Sequence, residues 1–313
     1  MNVLLTGANG QLGRAVQHAL EVNAQALQNE WTATTKKELD ITDADAVEKY
    51  VLEHHINIIV NCAAYTNVNG AENDEATCRA VNVDGAKNLA DAASKNGALL
   101  IHFSTDYVFN GMTFKPYEET RQTMPVNVYG QSKLDAEKAI IDSGCNYLIF
   151  RLQGLYSIYK PNFFSAILQK AKNCAGTPMK VVYDQITGIV NAVDVATALL
   201  EITEGTPGLP SLLSKRGIYH LSDKGCASWY DYAVYACRYL GVSYGPIVPV
   251  TATEYKKAMR KQGVKVADRP YYSVLSKEKF IADFGSQIVL HHWSQSLNNF
   301  LDELKKQWET SKQ

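Results

Sequence analysis

VLLTGANGQLG, residues 3–13, joins a short apolar run to three glycines with the spacing G-x-x-G-x-x-G. Glycine allows a tight turn and a close approach of the backbone to a ligand, and free N–H groups at a helix N-terminus favour a phosphate. A predicted strand before the loop and a predicted helix after it are the context of a dinucleotide-binding loop. A tight turn without a ligand is the alternative. The residues expected to bind the dinucleotide are Gly7, Gly10, Gln11, Leu12 and Gly13.

The first half of the chain repeats this alternation of short strands and longer amphipathic helices. Strand-like runs at 2–6, 31–35, 57–62, 98–104 and 147–152 alternate with helix-like runs at 11–21, 43–53, 75–96 and 126–143. Such alternation predicts right-handed β-α-β crossovers and a parallel sheet covered on both faces. We therefore expect the α/β class, with a doubly wound parallel (Rossmann) sheet and a smaller C-terminal α/β substrate lobe.

The predicted domain boundary lies near residue 156, where the regular alternation of strands and helices ends. Beyond it, Pro and Gly separate the elements, as in T-P-G-L-P at 206–210. We expect a dinucleotide-binding domain at 1–155, to which 179–204 returns. The substrate-binding lobe then takes 156–178 and 205–313.

Composition narrows the classes of partner. The chain has 313 residues, 31 Lys+Arg and 32 Asp+Glu, and its net charge of -1 disfavours binding to a nucleic-acid backbone. No apolar run approaches the roughly 20 residues that span a bilayer, and the N-terminal run lacks the basic flank of a secretory signal. We expect a cytoplasmic protein without a membrane partner. The cysteines, which lack a C-x-x-C pair, favour reduced thiols over a disulfide framework or a metal site: Cys62, Cys78, Cys145, Cys174, Cys226 and Cys237.

The end of the second predicted strand indicates which dinucleotide is preferred. It reads T-T-K-K at 34–37, and no carboxylate follows until Glu38. A carboxylate at this place holds the ribose of NAD, whereas cations accept the extra phosphate of NADP. We expect Lys36 to favour NADP(H), with NAD(H) still possible, and a solvated lysine loop is the alternative. Asp40 and Ile41 are expected to shape the adenine pocket.

Tyr129 and Lys133 form a Y-x-x-x-K pair on the predicted helix 126–143. The i,i+4 spacing places both side chains on one helical face. A phenol normally ionises at about pH 10, so an adjacent cation makes transfer of its proton practical. We expect Tyr129 to act as a general acid towards a carbonyl oxygen while Lys133 supports it and holds the nicotinamide ribose. A surface tyrosine with a solvated lysine is the alternative for an isolated pair.

The buried run 98–104 leads into Ser-Thr-Asp-Tyr at 104–107, at the strand end where open α/β sheets bind ligands. The hydroxyl of Thr105 can there bond the same carbonyl oxygen as Tyr129. His102 in this run is expected to be a satisfied core histidine rather than a base. Arg269 can hold a diphosphate through bidentate hydrogen bonds, and a salt bridge is the equal alternative.

In combination, these residues resemble the extended short-chain dehydrogenase/reductase family, and more narrowly its dTDP-4-dehydrorhamnose reductase group. The resemblance covers nearly the whole chain. Its motifs are G-x-x-G-x-x-G at 7–13, L-D-I-T at 39–42, V-N-C-A-A-Y-T-N-V at 60–68, S-T-D-Y-V-F at 104–109, N-V-Y-G at 127–130 with Lys133, and Arg269-Pro270 with Ser273 and Leu275.

The resemblance implies an NAD(P)H-dependent oxidoreductase that reduces the 4-keto group of a nucleotide-linked 6-deoxy sugar to dTDP-L-rhamnose. The implied catalytic set is Thr105, Tyr129 and Lys133. The resemblance also implies a place beside the cofactor for four residues and a place near the sugar for two more: Ala63, Ala64, Tyr65 and Asn82, and then Asp106 and Tyr107.

Two motifs depart from the family pattern. R-T-S-W-V-Y becomes R-L-Q-G-L-Y at 151–156, so Gly154 replaces an aromatic wall, and D-Q-x-G-x-P-T becomes D-Q-I-T-G-I-V at 184–190, ending in Val190. These departures bear on the substrate more than on the reaction type. The alternatives are a non-catalytic NADP-binding regulatory subunit and a reductase for a different nucleotide sugar. The expected partner is a small nucleotide-sugar substrate, and a homodimer is left open.

Overall fold

The computed structural model describes residues 1–173, 178–205, 209–285 and 288–310. Cys174 and the Thr-Pro-Gly of the predicted loop at 206–208 therefore lie outside the described residues. The strands are β1 (Asn2–Thr6), β2 (Glu30–Thr34), β3 (Ile56–Asn61), β4 (Leu99–Thr105), β5 (Asn146–Leu152), β6 (Leu155–Tyr156), β7 (Met179–Val182), β8 (Ile186–Thr187), β9 (Val190–Asn191), β10 (Gly217–His220), β11 (Ala227–Ser228) and β12 (Ile247–Val250).

The helices follow the predicted runs to within a few residues in the first half of the chain. They are α1 (Gln11–Val22), α2 (Ala44–Glu53), α3 (Val68–Ala71), α4 (Glu75–Arg79), α5 (Gly85–Asn96), α6 (Val128–Asp142), α7 (Phe163–Asn173), α8 (Ala192–Glu204), α9 (Leu209–Ser214), α10 (Trp229–Tyr239), α11 (Ala252–Lys261), α12 (Glu278–Phe284) and α13 (Trp293–Thr310). A π-helical turn, Ala80–Asp84, separates α4 from α5 where the sequence predicted one unbroken helix.

The main sheet has six parallel strands in the order β10-β5-β4-β3-β1-β2. Successive side chains of a strand point to opposite faces, and β1 shows this directly: Val3 and Leu5 join one core while Leu4 joins the other. Helices α1 and α8 cover the first face, and α2, α5 and α6 cover the second. The doubly wound α/β fold is confirmed. The strand order changes direction between β1 and β3, and ligands bind at such a switch point.

A separate core holds the smaller lobe together. Aromatic and aliphatic side chains from α7, α10 and α13 pack there, with β7 and β12 paired in parallel at the edge. The strand pairing differs from the expected division in two places. Met179–Val182 pairs with Ile247–Val250 of the lobe instead of returning to the main sheet, although α8 does pack on α1. Gly217–His220, expected in the lobe, pairs with β5 at the edge of the main sheet.

The edge position of β10 needs only a short strand. Four residues suffice for an edge strand. After α8 and α9 the chain returns to the edge of the main sheet, where β10 pairs with β5. The Leu209-Pro210 pair, predicted as loop, begins the short helix α9 because proline is tolerated in the first turn of a helix. No helix in the described ranges has the length and apolar character to cross a bilayer.

Candidate active site

The glycine loop leaves an open cradle at the start of α1. Gly7 has a φ of +68°, and a Cβ there would lie 2.5 Å from the backbone nitrogen of Ala63. A Cβ at Gly13 would lie 2.3 Å from the carbonyl oxygen of Gly7. No side chain caps α1 at Gly10, and its first turn has no acidic residue. The first N–H groups of α1 therefore face outward without a capping oxygen, which suits the negative charge of a pyrophosphate.

Two other loop residues lie beside this cradle. Leu12 is buried in the core under the sheet and anchors the first turn of α1. The side chain of Gln11 accepts a hydrogen bond from the hydroxyl of Ser157 at 3.1 Å, which ties the loop to the chain after β6. Both residues keep their expected place at the cofactor loop, and their direct contact with a dinucleotide stays a prediction.

The loop after β2 presents the lysine expected to select NADP(H). Lys36 is exposed, and its Nζ lies 3.4 Å from Oδ2 of Asp40. The Asp40 carboxylate also accepts the N–H and hydroxyl of Thr42, at 3.1 and 2.9 Å, and the backbone bond lowers the pKa of Asp40. The carboxylate of Glu38 accepts the backbone N–H of Thr35 at 2.7 Å, within its own turn. Ile41 is buried against α5.

The segment after β3 forms the opposite wall of the cradle. Ala64 is exposed, and Ala63 and Tyr65 are half-buried. The side chain of Asn82 holds this wall, because it accepts the N–H of Tyr65 at 2.8 Å and donates to the Tyr65 carbonyl at 3.1 Å. Asn82 is itself buried in the π-helical turn. Asn82 was expected beside the cofactor, and the structure places it behind the Ala63–Tyr65 segment.

Three catalytic candidates converge above the C-terminal end of β4. The hydroxyl of Tyr129, in the first turn of α6, contacts the hydroxyl of Thr105 at the end of the strand. Lys133 is one turn further along α6 and is 2% exposed. The ring of Tyr107 packs edge-on against that of Tyr129, with centroids 6.1 Å apart. The structure thus brings the predicted Thr, Tyr and Lys to one end of the sheet.

The protonation of these groups is set mainly by burial. Burial raises the pKa of Tyr129, and the nearby Asp106 carboxylate raises it further. For the free chain, burial raises the pKa of this phenol, and the expected support of proton transfer by Lys133 stays a prediction. Burial also lowers the pKa of Lys133 to about 8. At neutral pH, Tyr129 therefore carries the proton that a general acid must donate.

A buried polar cluster supports this strand end from the lobe side. Burial raises the pKa of Asp106 to about 6, although its carboxylate accepts hydrogen bonds from the hydroxyls of Ser273, Thr105 and Thr187. Gln153 donates to Thr187 Oγ1 at 3.2 Å and to the Ser273 carbonyl at 2.7 Å. Gln153 and Thr187 belong to the two motifs that depart from the family pattern, so the departures meet in one cluster beneath Asp106.

A basic cleft of about 660 Å³ lies in the lobe, between α11 and the segment 266–271. Its lining includes Arg269 together with Lys256, Lys257 and Arg260 from α11. The guanidinium of Arg269 interacts with the hydroxyl of Tyr107, and this partly offsets the rise in the Tyr107 pKa that burial causes. Within the described part of the chain, Arg269 forms no ion pair with a carboxylate. The salt-bridge alternative is therefore not favoured, and Arg269 faces a cleft suited to an anion.

Sequence reasoning gave no role to Asn127, which joins the catalytic helix to this cleft. Its Oδ1 accepts the N–H of Gly130 at 2.7 Å and so caps α6, while its Nδ2 donates to the carbonyl of Asp268 at 2.7 Å. Asp268 precedes Arg269. The N-cap position was readable from an Asn directly before the helix, but its second partner lies 141 residues away and has no local signal.

His102 is the second residue whose role was not foreseen. It is buried in β4 as expected, but one of its ring nitrogens lies 3.0 Å from Nζ of Lys133. The other ring nitrogen lies 3.1 Å from Nδ2 of Asn61 at the end of β3. Neither partner could be predicted from spacing.

Comparison with known proteins shows the family of this chain. The family model described as the RmlD substrate binding domain matches residues 1–306. A dTDP-4-dehydrorhamnose reductase of Aggregatibacter actinomycetemcomitans is 34% identical over 302 residues, which cover 95% of this chain and 97% of that protein. A crystal structure of a dTDP-4-dehydrorhamnose reductase from Clostridium acetobutylicum is 33% identical, with a TM-score of 0.85, and the match covers 97% of this chain and 100% of that one.

A second solved structure bears on the cofactor. It is a dTDP-4-dehydrorhamnose reductase from Bacillus anthracis in complex with NADP, 30% identical, with a TM-score of 0.83 over 96% of this chain and 99% of that chain. The glycine cradle and the Thr, Tyr and Lys at the strand end of this chain occur within a match of nearly full length. The chain therefore belongs to the family of the RmlD substrate binding domain, the dTDP-4-dehydrorhamnose reductase family of extended short-chain reductases.

Proposed function

We propose that this chain is an NADPH-dependent oxidoreductase that reduces the 4-keto group of dTDP-4-dehydrorhamnose to give dTDP-L-rhamnose. The observation that carries the proposal is the meeting of Thr105 and a protonated Tyr129 at the strand end, beside a glycine cradle built for a pyrophosphate. The names of the full-length relatives support this substrate.

Each catalytic residue has a separate role at the substrate carbonyl. Tyr129 donates its proton to the carbonyl oxygen, and the Thr105 hydroxyl bonds the same oxygen and orients it. When bound, NADPH supplies a hydride to the carbonyl carbon. Lys133, buried one helical turn from Tyr129, returns a proton to the phenolate. The cradle at Gly7, Gly10 and Gly13 holds the pyrophosphate, and Ala63–Tyr65 forms the wall beside it.

The substrate is placed between the strand end and the basic cleft. Asp106 and Tyr107 are at the sugar end, next to Thr105. Arg269 binds the diphosphate, supported by the fact that it has no carboxylate partner in the described ranges and that Asn127 fixes the preceding carbonyl. The lysines and arginine of α11 extend the positive charge along the cleft.

Preference for NADPH over NADH is assigned to Lys36. Replacing Lys36 with Ala removes a cation that follows β2 and lies beside Asp40, so the KM for NADPH is expected to rise about five- to tenfold. The KM for NADH should stay the same, because NADH lacks the extra phosphate. Steady-state kinetics with both dinucleotides measures this, and Lys49→Ala on α2 is the matched exposed control. Equal changes for both dinucleotides would contradict the assignment.

A second candidate is a reductase for a different nucleotide sugar, and one observation favours it. Gln153 and Thr187 replace family residues and bond each other directly beneath Asp106. A Cβ at Gly154 would lie 2.9 Å from Cγ2 of Ile189, so the aromatic wall of the family has no space there without movement of the chain. The regulatory-subunit alternative is opposed by the complete set of Thr105, Tyr129 and Lys133.

The cellular setting is part of the proposal. The free thiols among the described cysteines fit the reducing cytoplasm, where we place the enzyme. The nucleotide sugar is the partner that the basic cleft supports, and nucleic acid is not. A homodimer stays a prediction, which light scattering of the purified chain tests.

The test of the reaction is a panel of 4-keto nucleotide sugars offered with NADPH. The proposal predicts oxidation of NADPH with dTDP-4-dehydrorhamnose and a rhamnose product identified by mass spectrometry and NMR. Oxidation only with another sugar of the panel would select the second candidate. If NADPH binds tightly but is not oxidised with any sugar of the panel, both reductase candidates are contradicted and the regulatory-subunit alternative is supported.

A further inference from the structure

A row of buried polar side chains crosses the C-terminal edge of the sheet below the catalytic residues. Thr6 of β1 pairs with Asn61 of β3, and Asn61 pairs with His102 of β4 in the strand register. The hydroxyl of Thr6 donates to Asn61 Oδ1 at 2.8 Å, Asn61 Nδ2 lies 3.1 Å from His102 Nδ1, and His102 Nε2 lies 3.0 Å from Lys133 Nζ. Each of these four residues is at most 2% exposed. The row thus begins at the cofactor loop and ends at the catalytic lysine.

The orientation of the Asn61 side-chain amide is fixed by a backbone N–H, which can donate a hydrogen bond but cannot accept one. The backbone N–H of Ala63 donates to Asn61 Oδ1 at 3.1 Å, and a backbone N–H has no acceptor capacity. A flipped amide would place its NH₂ against this N–H. Oδ1 of Asn61 therefore faces Ala63 and Thr6, and Nδ2 faces His102.

This orientation determines the tautomer of His102. Nδ2 of Asn61 donates, so Nδ1 of His102 must accept, and a neutral imidazole then carries its proton on Nε2. Burial and the positive charge of Lys133 lower the pKa of His102 well below its usual value, so the ring is neutral. The Nε2–H points at Nζ of Lys133. An ammonium has three donors and no acceptor, whereas a neutral amine offers a lone pair to this N–H.

We propose that His102 is a positioning residue for the reduction: its Nε2–H donates to Lys133 and stabilises the neutral amine that Lys133 becomes after returning a proton to Tyr129. The proposal rests on the proposed function. In the step, the O–H bond of Tyr129 re-forms as an N–H bond of Lys133 breaks, and the amine lone pair accepts the Nε2–H of His102. A proton from solvent then restores the ammonium. Lys133 is thereby a recyclable proton source instead of a fixed positive charge.

The other charged and titratable groups around Lys133 act in the opposite direction. Glu137 on the same helix and Cys78 on α4 raise the pKa of Lys133, while burial lowers it. Glu137 is held by Arg151 of β5 through two hydrogen bonds, at 2.9 and 2.7 Å, which fixes its charge in place. Asn61 and Thr6, from the adjacent strands, are neutral. His102 is thus the neighbour whose donated hydrogen bond favours the neutral amine.

The tautomer can be measured directly and without turnover. ¹⁵N-histidine labelling of the full chain, with His102 assigned by comparison with His102→Gln, reports which ring nitrogen carries the proton. We expect a protonated Nε2 and an unprotonated Nδ1 from pH 6 to 9. Asn61→Asp puts an acceptor opposite Nδ1 and is expected to move the proton to Nδ1. A proton on Nδ1 in the unaltered chain, or an imidazolium, would overturn the inference whatever the sugar panel gives.

The pH profile of kcat tests the consequence for Lys133. In His102→Gln the amide can turn its oxygen to the ammonium, so the basic limb of kcat is expected to shift upward by about one pH unit while the plateau value falls. His220→Gln is the matched control, because His220 is an equally buried histidine on β10 that contacts Arg151 instead. If the substitutions acted only by lowering stability, activity would fall in both variants and the basic limb of the kcat profile would stay at the same pH in each.

An unshifted basic limb in a folded His102→Gln variant would overturn the proposed link. If this variant does not fold, His102 is assigned by the response of its signals to Asn61→Asp, and the tautomer in the unaltered chain still decides the inference. Failure of every sugar to oxidise NADPH would remove the proposed function, and the tautomer measurement separates that outcome from failure of the hydrogen-bond assignment.

Discussion

At the scale of single residues, the glycines of this chain differ in what surrounds their α-carbons. Gly7 and Gly97 have the same left-handed φ of +68°, but a Cβ at Gly7 would strike the backbone of Ala63, whereas nothing lies within 4 Å of one at Gly97. The strain of a left-handed backbone is therefore common to both positions. Only Gly7 adds a collision with the wall of the cofactor cradle.

Alanine at these two positions separates strain from collision. Both variants are expected to lose about 1 kcal/mol of stability from the left-handed backbone. Gly7→Ala should in addition lose more stability and weaken NADPH binding at least tenfold, because its Cβ cannot fit beside Ala63. Chemical denaturation and dinucleotide titration measure the two effects. Equal NADPH affinity in the two variants would show that the cradle tolerates a side chain.

At the scale of elements, helix α6 is positioned by its cap as well as by its packing. Asn127 caps the helix and bonds the carbonyl before Arg269, so one side chain aligns the start of the catalytic helix with the anion side of the cleft. The backbone N–H of Val128 adds a bond to the carboxylate of Glu72 at 3.0 Å. The first turn that carries Tyr129 is therefore held from two sides.

Asn127→Ala is expected to cost about 1 kcal/mol of stability from the lost cap. Because the tie to Asp268 is lost as well, KM for the nucleotide sugar should rise about three- to tenfold, with a smaller change in kcat. Asp43→Ala is the control, since Asp43 caps α2 in the same way and makes no tie to the cleft. Denaturation and steady-state kinetics test this, and equal KM changes in both variants would contradict the positioning role.

Elements with strong periodicity could be predicted, and elements without it could not. The helix-like run 75–96 was recognised, but its π-helical turn was not. That turn contains Asn82, which bonds the backbone of Tyr65, a contact that periodicity does not encode. Residues 217–220 were included in the lobe and not recognised as a strand of the main sheet, because a four-residue edge strand has no pattern of its own. Tyr129 and Lys133 were readable because their spacing is local.

At the scale of the whole molecule, a buried acidic cluster joins the two halves. Asp194 lies in the first turn of α8, Asp223 follows β10, and both lie near Tyr156 of β6. Within the described residues, the hydroxyl of Tyr156 and one oxygen of each carboxylate have no hydrogen-bond partner. Burial, with the neighbouring Asp194 as the second cause, raises the pKa of Asp223 to about 8.

This raised pKa fixes the sign of a pH effect on stability. Between the usual pKa of an aspartate and about 8, the folded chain holds a proton at Asp223 that the unfolded chain has lost, so stability falls as pH rises. Asp223→Asn removes this ionisation. Its stability relative to the parent should therefore increase from pH 6 to pH 8, by about 1 kcal/mol per pH unit.

Urea denaturation at the two pH values measures this change, with the exposed Asp142→Asn of α6 as the control. A difference between Asp223→Asn and the parent that does not vary with pH would contradict the assignment. The contribution is absent at low pH, where the residue is protonated in both the folded and the unfolded chain.

Contacts between distant segments set the limit of what the sequence could predict about the site. The strand-end Thr and the helical Tyr and Lys were identified from local patterns joined in chain order. His102 and Lys133 are 31 residues apart and meet only because β4 and α6 pack together. Gln153 and Thr187, 34 residues apart, were recognised as departures but not as partners. Gln153 lies between β5 and β6 and Thr187 ends β8, so their contact depends on how these distant segments pack together.

The most direct test of Tyr129 as the proton donor compares turnover and NADPH binding in the parent chain and in Tyr129→Phe, with Tyr147→Phe on β5 as the control outside the cleft. The proton-donor role of Tyr129 predicts that Tyr129→Phe binds NADPH as the parent does and loses about a hundred- to ten-thousandfold in kcat, because no proton reaches the carbonyl oxygen. Turnover by Tyr129→Phe within a few-fold of the parent would contradict it.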